Sequence, residues 1–154
     1  CAWVPVRAAA LGDPAPVDRV AIEARAAELG LQPVAWPATV PFDSDLAQRA
    51  ATYAKGIGRV VAFSLAAFRQ AYAGARDLSV PDHVLIAGAA CEMHPTALLR
   101  GSETRGTRAA LDAATAQARA RGVRSVPAVW TGTEVVHGER GLDRAAELLA
   151  GARA

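Results

Sequence analysis

A chain of 154 residues suits one domain, and a composition that is 52% hydrophobic and 21% charged excludes the disordered class. A formal charge of +2, with arginines scattered and Lys55 the only lysine, gives no electrostatic case for nucleic acid. No apolar stretch reaches the roughly 18 residues of a membrane helix and no secretory signal is visible, so the sequence predicts a cytoplasmic protein without a membrane partner.

The chain opens at Cys1 and runs at once into AWVPV. This is read as part of a longer protein. Two alternatives are a cysteine nucleophile that uses its own α-amine as base, and a lipid-modified terminus. Residues 2–7 read as a short strand, and Pro5 confines it to an edge or to pairing on one side. The loop LGDPAP follows. Residues 18–29 are helical, with Val17, Ile22, Ala26 and Leu29 near one face and Gly30 as C-cap. Residues 31–43, carrying Pro33, Pro37 and Pro41, form an extended connection.

Ser44 suits the N-cap of the next helix and Asp45 its first turn; this helix runs to about Lys55 and ends at Gly56-Ile57-Gly58. A helix over 59–73 places Val60, Phe63, Ala67, Phe68 and Tyr72 at helical spacing. Pro81 opens a third helix that reaches about Met93, where His94-Pro95 breaks it and leaves room for a short helical turn. Residues 103–121 form a long Ala- and Arg-rich helix closed by Gly122. The runs 127–131 and 134–137 are β-type and flank Gly132-Thr133, which predicts an antiparallel hairpin. A last amphipathic helix covers 142–150, with Leu142, Ala145, Ala146, Leu148 and Leu149 available for burial.

The two cysteines, Cys1 and Cys91, form no C-x-x-C and no metal-ligand pattern. Cys91 lies in the apolar run HVLIAGAACEM, which predicts a buried, inert thiol packed near Val84, Leu85 and Leu98. His83, His94 and His137 lack metal-ligand spacing and read as surface or capping residues; no metal is expected.

The most informative segment is GVRSVPAVW (122–130) followed by TGTEVVHGE (131–139). It resembles the cis-proline loop and closing hairpin of the thioredoxin superfamily. Upstream, VPFDSDLAQRA (40–50) and GRVVAFSLAAFRQAYAGARDLSVPDHV (58–84) resemble segments of DsbA-like proteins and 2-hydroxychromene-2-carboxylate isomerases, and AWVPV resembles their second strand. The likeness runs in order over nearly the whole chain.

The resemblance implies an α/β thioredoxin-like fold: one DsbA-like domain over 1–154, partial, with an all-helical insertion at 44–101 and without the first strand and active-site helix. It implies a cis Val126–Pro127 bond. It also implies that residues 2–7 lie parallel in the sheet of the hairpin, one strand-width away from it.

The implied function is thiol-disulfide oxidoreduction of DsbA type, with the reactive C-x-x-C upstream of this chain and no catalytic residue within it. One alternative is a glutathione-dependent isomerase, or a kappa-class transferase, with a serine in place of the cysteine pair. Another is a non-catalytic binding domain. The implied substrate-binding residues are Ser125, Val126 and Pro127, with Glu139 and Arg140 at the far end of the hairpin. The run His137-Gly138-Glu139-Arg140 departs from the W-G-(S/N/Q)-D that often holds glutathione in the isomerases. No cofactor is expected, with glutathione as the alternative ligand. The expected partner is a thiol- or disulfide-containing peptide or a small thiol, and a homodimer is compatible with the family.

Overall fold

A computed structural model describes residues 2–12, 16–138 and 140–151, with the side chain of Arg140 outside that description. The chain divides into two compact units. The first comprises Cys1–Pro5 and Pro16–Leu111, the second Val6–Ala15 and Asp112–Ala154.

The first unit is helical. It holds α1 (Arg19–Glu28), α2 (Asp45–Gly56), α3 (Val60–Tyr72), α4 (Pro81–Ala89), α5 (Pro95–Glu103) and the start of α6 (Arg105–Ala120). Its core is built on small residues. Ala47, Ala50, Ala51 and Ala54 line the buried face of α2, and Phe63, Ala67 and Ala71 that of α3. Alanines cost no side-chain entropy and let helix axes approach, so α2 packs on both α3 and α5, and α3 on α4. Val84, Cys91, Met93 and Leu98 complete the cluster.

Local chemistry sets the ends of these helices. The Asp18 carboxylate accepts from the Ala21 N–H at 3.0 Å and caps α1. At the other end of α1 the Leu31 N–H reaches the Ala26 carbonyl at 2.9 Å, with Gly30 at φ +64° supplying the left-handed residue that this closure needs. Ser44 stands at the N-cap of α2 but makes no side-chain cap bond; the Asp43 carboxylate takes the Asp45 N–H at 2.9 Å. His94 caps α5 through Nδ1, which accepts the Thr96 N–H at 3.2 Å.

The expected third helix stops earlier than its apolar pattern. It ends at Ala89, because Glu92 takes a left-handed φ of +58° and the Met93 N–H turns back to the Gly88 carbonyl. The short turn expected after Pro95 is instead the nine-residue α5. On α1 only Ala26 of the expected apolar face is buried, whereas Ile22 and Leu29 remain exposed.

The second unit holds a 3-10 turn at Ala8–Ala10, the remainder of α6, β1 (Ala128–Trp130), β2 (Val135–His137) and α7 (Arg140–Gly151). The Arg7 N–H donates to Thr115 Oγ1 at 3.1 Å, and its guanidinium meets Asp112 at 3.1 Å; both bonds tie residue 7 to α6. β1 and β2 pair antiparallel, and α7 packs on both. Gly141 sits so close to Val136 that a Cβ would approach the valine Cγ1 to 2.9 Å, which brings the start of α7 onto β2.

Residues 2–7, expected to be a strand, form none, and the only sheet among the described residues is the β1–β2 pair. A strand needs a neighbour to satisfy its ladder, and none of the described segments pairs with 2–7. No described helix is long and apolar enough to cross a membrane.

Candidate functional site

The resemblance singled out the loop between α6 and β1, and the geometry there follows from how α6 ends. The Val123 N–H returns to the Ala118 carbonyl at 3.0 Å and the Gly122 N–H to the Arg119 carbonyl at 2.9 Å, with Gly122 at φ +88°. This double closure satisfies the Ala118 and Arg119 carbonyls near the end of α6 and turns the chain sharply out of the helix. Arg124, Ser125, Val126 and Pro127 then run to the start of β1.

Two adjacent residues of the opposite strand end hold that loop at its two ends. His137 Nε2 accepts the Arg124 N–H at 3.2 Å, and the Gly138 N–H donates to the Pro127 carbonyl at 2.9 Å. His137 stands opposite Ala128 in the hairpin register, one residue beyond the proline. The Val126–Pro127 peptide bond is cis, as is Val40–Pro41 in the first unit, which the sequence reading did not single out.

Ser125, Val126 and Pro127 are all exposed, Val126 to 48%. Among the described residues no hydrogen bond engages the backbone of Ser125 or Val126. The loop therefore presents free backbone donors and acceptors beside a short strand, a surface to which an extended segment can add by main-chain pairing. Trp130 closes the other end of β1, 40% exposed, with the Arg121 guanidinium carbon 5.2 Å from its ring centroid.

The three loop residues named from the sequence thus lie together on one exposed turn. Glu139 and the Arg140 side chain lie outside the described residues, and so does Cys1. Arg124, His137 and Gly138 were missed as site residues. A signal for them existed: counting back from a turn at Gly132-Thr133 puts position 137 opposite 128 and position 138 opposite 127.

Cys91 belongs to the helical core of the first unit and is buried there. Burial pushes its thiol pKa up, and the nearby Arg59 guanidinium opposes that rise as the smaller effect. A thiol held protonated is a poor nucleophile, so Cys91 is placed as a packing residue, with Val84 and Leu98 in the same cluster. Among the described residues no group of three or more His, Cys, Asp or Glu side chains is gathered to hold a metal ion.

Comparison with curated proteins gives no match. Comparison with protein-family models matches residues 18–150 to the DSBA-like thioredoxin domain, a span that takes in α1 to α6, the hairpin and most of α7. That span covers well over half of the chain, and the chain therefore belongs to the DSBA-like thioredoxin domain family, in a largely helical form with a two-stranded sheet.

Proposed function

We propose that this chain is the substrate-holding part of a DsbA-type thiol-disulfide oxidoreductase, and that residues 124–127 receive the backbone of a thiol- or disulfide-containing peptide. The observation that carries this reading is the free, exposed backbone of Ser125 and Val126 between two anchored ends. Family membership supports it. Disulfide exchange needs an accessible thiolate, and Cys91 is buried with its thiol pKa raised. The sequence contains no C-x-x-C. The reactive pair is accordingly assigned to protein outside residues 1–154. In this reading the chain is one partial thioredoxin-type domain, residues 44–101 are an insertion within it, and the protein works in the cytoplasm.

The test is titration of the full chain with an unstructured cysteine-containing decapeptide, read from the Val126 amide resonance and, for the variant without that amide, from fluorescence anisotropy of the labelled peptide. Binding that shifts Val126 and is lost in Val126→Pro, which removes the backbone donor, supports the reading. Binding that leaves Val126 unmoved overturns it. Glutathione titrated in parallel decides whether the loop takes a small thiol instead of a peptide.

A further inference from the structure

We infer that His137 is the positioning residue of the substrate loop: its neutral imidazole, with Nε2 as acceptor and the proton on Nδ1, fixes the direction in which Ser125 and Val126 present their backbone. The inference rests on the reading of 124–127 as a substrate-holding loop and adds to it the side chain that sets the loop's pose.

The argument starts from the two anchors. The Pro127 carbonyl is held by the Gly138 N–H at 2.9 Å, a backbone bond that any residue at 138 except proline supplies. The Arg124 N–H is held at 3.2 Å by a side chain, His137 Nε2, and so depends on residue identity. The Arg124 carbonyl is flanked by Gly12, where a Cβ would come within 3.1 Å of the oxygen. That flank limits movement in one direction and supplies no hydrogen bond. Without the imidazole acceptor, the nearest backbone anchors are the Val123 N–H on the Ala118 carbonyl and the Pro127 carbonyl on the Gly138 N–H, and the backbone of Arg124 to Val126 between them carries no hydrogen bond.

Donor and acceptor are fixed by the geometry. An amide N–H can only donate, so Nε2 must carry a lone pair, which places the ring proton on Nδ1. His137 is exposed, so this is not a residue whose replacement opens a core cavity. Its neighbour in the strand pair is Ala128, whose small side chain leaves the cross-strand position uncrowded. The bond is therefore separable from the stability of the hairpin, which rests on the β1–β2 ladder and on α7.

Side-chain length supplies a discriminating set of variants. In glutamine the carbonyl oxygen stands as many bonds from Cβ as histidine Nε2, whereas in asparagine it is one bond shorter. His137→Gln retains an acceptor at the right reach, His137→Asn places one too close to the strand, and His137→Phe keeps the ring without an acceptor.

The experiment compares these three variants in the full chain. The readouts are hydrogen exchange of the Arg124 amide, the chemical shift of the Val126 amide, imidazole nitrogen shifts in the wild type, and binding of the cysteine-containing decapeptide. Loss of one neutral hydrogen bond corresponds to about fivefold faster Arg124 exchange and about fivefold weaker peptide binding in the Phe and Asn variants. His137→Gln is expected to restore both, and wild-type nitrogen shifts are expected to report an unprotonated Nε2. Equal behaviour of the Gln and Phe variants overturns the inference, as does an Arg124 amide that exchanges alike in all four proteins. If the wild type binds no peptide, the substrate-holding reading fails by itself. The Arg124 and Val126 readouts then still decide whether His137 sets the loop.

Discussion

Gly101 of α5 lies against the ring of Tyr53 on α2, so close that a Cβ at position 101 would overlap ring atoms. The contact explains how two helices joined only through intervening elements come to share one core. Replacing Gly101 by alanine sets two effects against each other. Helix propensity favours alanine by about 1 kcal/mol. Overlap with a packed aromatic ring costs about 1–3 kcal/mol, because a ring cannot fold away as a flexible chain end does. Tyr53 is itself packed against the core cluster, so overlap wins. Gly101→Ala is expected to lower stability by up to roughly 2 kcal/mol. Gly106→Ala, on α6 with nothing within 4 Å of the added methyl, is expected to hold or raise it. Urea unfolding of both variants tests the pair, and a Gly101→Ala protein as stable as the Gly106→Ala protein would contradict this packing.

Glu92 presents the opposite case, a side chain where glycine fits better. Its φ of +58° closes the turn after α4, a conformation that costs an L-residue about 1–2 kcal/mol. Its carboxylate pairs with Arg59 at 3.3 Å, but the glutamate side chain is 85% exposed, and such pairs contribute about 0–1 kcal/mol. Arg59 has a second partner in the Cys91 carbonyl, so it stays anchored when Glu92 is changed. Glu92→Gly and Glu92→Ala both lose the ion pair, and only the first relieves the backbone. The glycine variant is expected to be more stable than the alanine variant by about 1 kcal/mol. Equal melting temperatures would show that the turn tolerates a Cβ without cost.

These two positions also show what the sequence could and could not convey. Helices with strong periodicity and clear punctuation were legible. Asp18 and Gly30 bracket α1, Pro81 opens α4 and Gly122 closes α6, each by its own backbone chemistry. The hairpin and the exposed loop before it were legible from Gly132-Thr133 and from the Ser-Val-Pro run. The extent of α5 was not, because Gly101 and Ser102 look like breakers in isolation, and the true break falls at Thr104, inside the helix expected over 103–121. Yet Gly101 is there for Tyr53, and the Ser102 hydroxyl returns to the Leu98 carbonyl at 2.7 Å. Residues 2–7 show β-type composition without a strand, since pairing is a property of two segments and composition speaks for one. The role of His137 depended on register, which turn geometry fixes only once the turn itself is known.

Cys91 should make the protein less stable in alkali. Its thiol pKa is raised in the folded state, chiefly by burial. Above the ordinary thiol value of about 8.5 the unfolded chain releases its proton while the folded chain keeps it, so stability falls as pH rises through that window. Below the window both states are protonated and the effect vanishes. Cys91→Ala is expected to lose packing stability at neutral pH and to show a flatter decline above it. A thiol reagent should label Cys91 slowly in the native protein and rapidly in urea. Rapid native labelling, or identical alkaline slopes in the two proteins, would place the thiol at the surface.

Glu103 carries the opposite pH signature, because its carboxylate is stabilised in the charged form. Arg108 holds its pKa below the usual range through a hydrogen bond, and Arg49, 2.5 Å away, adds to the effect. The stabilisation is present above the ordinary glutamate value of about 4.3 and is lost as pH falls through the lowered folded value. The Arg108 contact is half-exposed and should weaken with salt. Arg49 is only 13% exposed and also meets Asp45 at 2.9 Å, so it links the first turn of α2 to the end of α5. Its part of the effect should survive high salt. Glu103→Gln is therefore expected to lower stability at neutral pH, partly even at high ionic strength, because Arg49 keeps Asp45 but loses its charged partner on α5. The stability curves of wild type and variant should converge in acid, where wild-type Glu103 is itself protonated. Curves that stay parallel down to low pH would mean that Glu103 acts through packing and not through charge.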